Sequence, residues 1–490
     1  MNPIADMTER ASKNNSLSVE MLHKSARRGW LWGAVEQFAQ RGMAMLVSLV
    51  LARMLAPESF GLIASVSIFI TTAQQLIDGG IGSRIVQKKE VLEEDYIAFF
   101  WCNAAVSLLS CGSLVVFAGK IAVFYGNPQL RSVVVVMAVV AFLMNAGRVQ
   151  ECRLNRELRF KIISLVTVCS VTAGSIAGLI LAFAGCGIWA ILGQQFVMSL
   201  VRAGAFWWLI PWRPARLPTW SAVKDLYAFG LPIVASQTLR GFSELLINVL
   251  TARFVGMVPL GYYDRGCFIP GNTAGFVQSI FFRTNLTVLS KLQHDEKEFR
   301  EAYLRLIGPI ASISMLAMTG LAFCAPEIIE IVLGAKWMPS IWFFRAGCIM
   351  SSIYLLFLVN LDVLKAKGGV NSLFRQNLIY AALQTVGVGG GLFWGIRGMM
   401  AGGIAACFFS CFALMSAVSC QSHITVKDQL AVFVSPVIWS LLTAGVLCCI
   451  KLVGLSLWGR FLVCGVAGAG MLALSWYFMA NKSRGGKHDE

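Results

Sequence analysis

Residues 49–64 read LVLARMLAPESFGLIA, and residues 248–264 read NVLTARFVGMVPLGYYD. In each stretch an apolar run reaches Ala-Arg, passes through a few turn-forming residues, and reopens as a second apolar run. Ala52-Arg53 answers Ala252-Arg253, and Phe60-Gly61 answers Leu260-Gly261, both at an offset of 200. Upstream, Arg41-Gly42 answers Arg240-Gly241 with a slip of one; downstream, Arg84 answers Arg283. Chance supplies one such pair, not four in order. The chain carries an internal repeat.

Composition identifies the repeating unit. The 490 residues are 57% hydrophobic and 13% charged, whereas a soluble domain is about a quarter charged. With a mean hydropathy of +0.70, the chain reads as one whose main solvent is lipid. A spanning helix uses about 20 residues, so the apolar share suffices for about 14 spans and leaves little for a water-soluble domain. The expected fold is an all-α polytopic membrane protein: two pseudo-symmetric six-helix lobes followed by two C-terminal helices. Six is even, so both copies insert the same way, related by an axis along the membrane normal.

The expected organisation is a cytoplasmic tail (1–29), an N-lobe (30–210), a cytoplasmic linker (211–225), a C-lobe (226–418), two further spans within 419–480, and a cytoplasmic tail (481–490). Tight helical turns are expected at Gly185–Ile188 and at Gly395–Gly398. The first 28 residues are polar and lack an early apolar core, so the run from Trp30 is a retained span rather than a signal peptide. With the N-terminus inside, cytoplasmic loops and tails hold 27 of the 41 Lys and Arg. Outer loops hold seven: Arg53, Lys120, Arg131, Lys336, Arg397, Lys451 and Arg460. That asymmetry obeys the positive-inside rule and places both ends in the cytoplasm.

The same tally disposes of several functions. Most of the net charge of +16 is topology signal on inner loops, where anionic headgroups also attract it. No groove-fitting or stacking motif accompanies it, so nucleic acid is not an expected partner. The densest cluster, Arg148 to Lys161, reads first as a lipid-facing anchor and second as a docking site for a cytoplasmic protein. Four His without ligand spacing and fourteen Cys without a C-x-x-C point to no metal. No Walker motif occurs, and no cofactor is expected.

Taken in order, several stretches resemble the polysaccharide-transporter (exopolysaccharide and O-antigen flippase) family of the multidrug/oligosaccharidyl-lipid/polysaccharide exporter superfamily. They are RGWLWGAVEQF (28–38), LARMLAPESFGL (51–62), LIDGGIGSRIVQKKEVLEED (76–95), FYGNPQL (124–130), LRFK (158–161), LGYYDRG (260–266), SKLQHDEKEF (290–299) and VLGAKW (332–337). The resemblance implies a carrier in the bacterial inner membrane. It would flip an undecaprenyl-pyrophosphate-linked oligosaccharide from the cytoplasmic to the periplasmic leaflet, beside membrane lipids, a polysaccharide polymerase and other assembly proteins. The chain departs from the family where Ile247 precedes Asn248, a position often acidic; the nearest acid is Glu244.

Charge inside the membrane is costly and faces a partner or a watery cavity. Seven arginines remain within the spans, at 41, 202, 240, 253, 265, 283 and 345, against five acids: Glu36, Asp78, Glu244, Asp264 and Asp362. Arg stays charged on burial, and its planar fork suits phosphate oxygens. Arg253, Arg265 and Arg345 lie near outer ends, where snorkelling accounts for them. Arg41 and Arg240 fall at mid-membrane, and Arg202 and Arg283 about two turns from the inner face. Helical spacing groups them with Gln37 and Ser48, with Gln195 and Ser199, with Asn248 and Thr251, and with Asn272 and Ser279. Helix–helix hydrogen bonding explains any one such stripe; stripes in both halves suggest a shared hydrated cavity. The candidate pyrophosphate and sugar contacts are therefore Arg41, Arg240, Arg202, Arg283, Asn248 and Gln37. Glu244, four residues from Arg240, and Asp78 are the candidates for ion coupling.

Two rivals remain. A multidrug cation antiporter of the same superfamily would have an acid-rich cavity, which the arginine excess disfavours. A membrane polymerase or ligase would need a large outer loop with catalytic residues. The longest outer loop, about Ala325 to Ser340, offers only Glu327, Glu330 and Lys336. The expectation is a carrier, not an enzyme.

Overall fold

The computed structural model describes residues 42–78, 85, 91–224, 248–293, 295–367, 370–422, 424–453 and 456–485. These residues are mostly helical, with no strand among them. Among the described residues, eight helical stretches are long and apolar enough to cross a membrane, and two of them, Gln129–Arg156 and Ser372–Gln421, each contain two α-helices. The chain is a multi-pass membrane protein. It divides into two compact units, residues 1–55 with 70–235 and residues 56–69 with 236–490.

The first unit holds α1 (Ala44–Met54), the later part of α2 (Pro57–Asp78), α3 (Glu93–Tyr125), α4 (Gln129–Ala146), α5 (Arg148–Arg156), α6 (Phe160–Phe183) and α7 (Trp189–Leu209). Each start and stop has a local cause. Glu93, Glu94 and Asp95 crowd the first turn of α3, where acids complement the helix dipole, and the Leu92 N–H donates to Asp95 at 2.9 Å. The helix ends at Gly126 in the left-handed region, φ 67°, as glycine caps do. Its 33 residues run about 50 Å, well beyond a hydrocarbon core of about 30 Å.

The expected turn after α6 is present, with Gly185 and Gly187 at φ 74° and 57°. Helices α6 and α7 then pack back to back through small residues. A Cβ at Gly174 would lie 2.6 Å from the Gln194 carbonyl oxygen, and one at Gly193 would lie 2.3 Å from Leu181 Cδ1. Lipid offers no hydrophobic drive to join helices, so close backbone approach supplies the contact.

The segment after α7 folds onto α3. Trp212 Nε1 donates to Glu93, Trp101 Nε1 donates to the Arg216 carbonyl at 3.0 Å, and Arg216 pairs with Glu94 at 2.7 Å. Arg213 donates to the carbonyls of Trp207, Ile210 and Trp212 and stacks on the Trp207 ring at 4.6 Å. It thereby satisfies acceptors that the end of α7 leaves open.

The second unit begins with residues 57–69 of α2 and a helical stretch at 248–254. It continues through α8 (Met257–Lys291), α9 (Glu296–Phe323), α10 (Ala325–Ile328), α11 (Ile341–Ala366), α12 (Val370–Gly391), α13 (Gly395–Gln421), α14 (Val426–Leu452) and α15 (Leu457–Gly485). Helix α8 packs on α11, α9 on α11 and α14, α12 on α13, and α15 on α9 and α14. The turn expected at Gly395–Gly398 comes slightly earlier, as a short 3-10 helix at Leu392–Trp394 and Gly395 at φ 71°. The stretch expected to be the longest outer loop is helical too: Ile329–Leu333 forms a π turn and Ala335–Ser340 a 3-10 turn.

The offset-200 repeat has a counterpart in contact. A Cβ on Gly61 would lie 1.9 Å from the carbonyl oxygen of Met257, and one on Gly261 would lie 2.0 Å from that of Pro57. Each glycine thus faces the backbone four residues before its partner, so two matched positions meet as equals. Beside this crossing, Phe60 and Tyr262 both meet the fully buried Trp337 ring edge-on, at 5.5 and 5.9 Å between centroids. Elsewhere in the unit, the Tyr303 hydroxyl donates to Asn360 Oδ1 at 2.8 Å, and Gln429 Nε2 donates to the Met415 carbonyl at 3.0 Å. These buried polar groups tie α9, α11, α13 and α14 together with their hydrogen bonds satisfied.

Candidate substrate-binding site

The break between α4 and α5 builds the polar centre of the first unit. Asn103 Nδ2 donates to the Asn145 carbonyl at 3.0 Å, and Trp207 Nε1 donates to the Ala146 carbonyl at 2.7 Å. Both acceptors are freed where α4 stops. Gly147 occupies the gap because Phe206 comes too close for anything larger; a Cβ there would lie 2.9 Å from Phe206 Cδ2. Helix α5 then presents Glu151 towards α7.

Arg202 meets that carboxylate. Its Nη2 donates to Glu151 Oε1 at 2.8 Å, and Nη1 of Arg148 lies 3.4 Å from Glu151 Oε2. The Arg202 guanidinium also sits 5.6 Å from the centre of the Phe206 ring, a cation–π contact. Arg148 and Arg202 thus share the Glu151 carboxylate. The Arg202 and Glu151 side chains are 17% and 14% exposed. At that burial neither charge is sustained without a partner. Arg202 stands seven residues before the end of α7, about 10 Å along the helix.

Sequence reasoning singled out Arg202 and not Glu151, which fell in the stretch read as a lipid-facing anchor. The one local signal was the spacing of Arg148 and Glu151, three apart on a helical face. The partnership with Arg202, across 51 residues of chain, has no local signature.

Arg265 in the second unit is a different case. It pairs with Asp264 at 2.6 Å and lies between the rings of Phe60 and Phe268, 4.5 and 4.4 Å from their centres. Only 10% of its side chain is exposed. Arg253 and Arg345 are exposed near helix ends, and Arg345 makes a long hydrogen bond of 3.3 Å to the Ala322 carbonyl. Asp362 is buried and pairs with Lys365 at 2.9 Å.

Of the other candidates, Asn248 is half-buried at the start of the helical stretch 248–254. Thr251, one turn on, is buried and donates to Met399 Sδ. Ser199, Asn272 and Ser279 each donate to a carbonyl of their own helix. Arg283 lies on α8 and Asp78 ends α2; their side chains lie outside the described residues. So do Gln37, Arg41, Arg240 and Glu244 entirely. Among the described residues, no group of His, Cys, Asp and Glu could hold a metal ion.

Comparison with known proteins gives a consistent picture. The family described as "Polysaccharide biosynthesis protein" matches residues 50–342. The lipopolysaccharide biosynthesis protein WzxC of Escherichia coli (strain K12) is 23% identical over 374 residues, 75% of this chain and 76% of that protein. The succinoglycan biosynthesis transport protein ExoT of Rhizobium meliloti (strain 1021) is 26% identical over 323 residues, 64% of each chain. Among solved structures, the inward closed conformation of the lipid II flippase MurJ superposes with a TM-score of 0.70 at 13% identity. It covers 92% of this chain and 99% of that one. An inward-facing multidrug resistance MATE family transporter gives 0.62 at 15% identity, over 80% of this chain and 98% of that one. At these identities the structural likeness establishes a shared fold.

Proposed function

The chain belongs to the polysaccharide biosynthesis protein family, and on that premise we propose that it is a flippase for lipid-linked oligosaccharides. Its cargo is an undecaprenyl-pyrophosphate-linked repeat unit, moved from the cytoplasmic to the periplasmic leaflet of a bacterial inner membrane for exopolysaccharide, O-antigen or capsule assembly. The observation that carries this reading is the pairing of relatives named for polysaccharide biosynthesis and transport with a fold shared with MurJ, itself named a lipid II flippase.

The physical task fits the residues. Each unsatisfied polar group of a sugar–pyrophosphate head costs several kcal/mol in hydrocarbon. A wet path lined by arginine removes that cost while the polyprenyl tail stays in lipid. In this reading about fourteen helices form a six-helix N-lobe, a six-helix C-lobe and a C-terminal pair, with both chain ends in the cytoplasm. The lobes alternate access around a cavity served by Arg41, Arg240, Arg202, Arg283, Asn248 and Gln37, with Glu244 and Asp78 coupling the cycle to an ion gradient. A polysaccharide polymerase would take over the product outside.

The likeness to a MATE transporter gives the cation-antiporter reading some support, and one experiment separates the two. In a strain lacking the gene, the lipid-linked oligosaccharide should accumulate on the cytoplasmic leaflet. The wild-type gene should rescue export, and Arg41→Ala or Arg240→Ala should not. Normal export in the deletion strain, with no second carrier present, rules the flippase out.

A further inference from the structure

Helix α15 is joined to the rest of the second unit by little. Along Leu457–Tyr477 only Cys464 and Ser475 are buried, and the other side chains are exposed or half-buried. Ser475 Oγ has no hydrogen-bond partner. Lipid gives an apolar helix no hydrophobic reason to stay beside its neighbours, so the contact made by Cys464 matters. That contact is with Cys324, at the turn between α9 and α10. The two thiols are hydrogen-bond partners of each other, and both are buried. The same turn is fastened from α14, where Lys451 Nζ donates to the Phe323 carbonyl and pairs at 3.3 Å with the buried Glu327. A lone buried cysteine serves as a small apolar filler. Two that meet from segments more than a hundred residues apart close the kind of long loop in which a crosslink constrains the unfolded chain most.

We propose that Cys324 and Cys464 form a redox-modification site: a disulfide that fastens α15 to the α9–α10 turn. This rests on the orientation in the flippase reading, which puts that turn on the periplasmic side, where disulfides form and persist. The step is a thiol–disulfide exchange. One cysteine, as its thiolate, attacks the disulfide of a periplasmic dithiol oxidant and gives a mixed disulfide. The second thiolate then displaces the oxidant. One S–S bond forms in the chain and one breaks in the oxidant, which leaves as a dithiol carrying the two electrons and two protons. Thiols this deeply buried are slow to react. The exchange therefore precedes the seating of α15, and the finished bond is shielded from reductants.

The unaltered full-length chain, made in a bacterium with an oxidising periplasm, provides the test. Cells are denatured in N-ethylmaleimide, which blocks every remaining thiol, and the chain is digested without reductant. Mass spectrometry should find the Cys324 peptide joined to the Cys464 peptide in most of the protein, and a reductant should separate them. A reporter active only in the cytoplasm, fused after Glu490 in a parallel strain, reads the orientation. Alkylated Cys324 and Cys464 with a cytoplasmic C-terminus overturn the proposal and leave the flippase reading standing. Alkylated thiols with the C-terminus outside overturn the orientation and the proposal together. Linkage of either cysteine to a different one, such as Cys448, also overturns it. Normal export in the deletion strain would remove the flippase reading without touching the crosslink.

Discussion

Arg202 and Arg265 are both arginines within apolar helices, and both pair with one acid, yet their surroundings assign them different work. Arg265 is sandwiched between Phe60 and Phe268 and held at 2.6 Å by the adjacent Asp264. Arg202 has one ring, one hydrogen bond and an acid shared with a second arginine. The first completes an aromatic box beside the Gly61–Gly261 crossing. The second is incomplete. The lesson is that intramembrane charge alone does not mark a binding site; donors left over after the local partners are counted do.

The sharpest way to break this contrast is to remove each arginine and read stability and transport together. Arg265→Ala strands Asp264 and deletes two cation–π contacts. It should cost about 3 kcal/mol, the lower end for breaking a buried pair, seen as a fall in the melting temperature of detergent-solubilised protein. Arg265→Lys should recover little, because a lysine cannot stack as a plane. Arg202→Gln leaves Glu151 beside Arg148, so it should cost only about 1.5 kcal/mol, one charge-assisted hydrogen bond, while abolishing rescue of export in the deletion strain. If Arg202→Gln proves the less stable of the two, the contrast is reversed and Arg202 is the structural residue.

A second test probes the scaffold of the Arg265 box. Gly61→Ala or Gly261→Ala puts a methyl group where a backbone carbonyl stands about 2 Å away, and neither side can yield as a flexible side chain would. Overpacking of this kind costs about 1–3 kcal/mol, even though alanine is the better helix former by about 1 kcal/mol. The two variants should be equally destabilised, since each glycine faces the other's helix in the same way. A clear inequality would mean the crossing is less symmetric in solution than in the structure.

These cases also show what the sequence makes legible. The apolar runs, the offset-200 match at Gly61 and Gly261, and the glycine turn at 185–187 were readable because lipid and tight backbone geometry leave few alternatives. Arg202 was readable as a charge that needs a reason. Its partner was not, because Glu151 lies on a nine-residue helix that hydropathy reads as a polar loop. The folding of 211–224 onto α3 was hidden likewise: Trp212–Glu93 and Trp101–Arg216 are contacts between segments more than a hundred residues apart. The burial of Trp337 in an apparent outer loop was unreadable for the same reason. Pattern reveals which residues must be explained, and long-range contact supplies the explanation.

A third test acts on the Arg202 side alone. Phe206→Leu removes the ring below the guanidinium and relieves the close approach to Gly147. It should cost about 1 kcal/mol of stability, mostly the lost cation–π contact and aromatic packing. Pyrophosphate affinity should fall only a fewfold, because the ring supports the arginine without touching the anion. A loss as complete as that of Arg202→Gln would show that the ring, rather than the guanidinium's spare donors, organises the site.

Arg345 supplies the smallest effect and the strictest control. It is a third arginine near a helix end, but it is exposed, pairs with no acid among the described residues, and makes one long bond to the Ala322 carbonyl. Its stem can lie along apolar surface while its head reaches water. Arg345→Gln should therefore change stability by less than about 0.5 kcal/mol and leave export at the wild-type level. Arg202 has spare donors because its one acid is shared inside the protein; Arg345 has them because water fills them. If Arg345→Gln also abolishes export, spare donors on a partly buried guanidinium are not what distinguishes a working arginine, and position along the transport path would have to replace burial as the criterion.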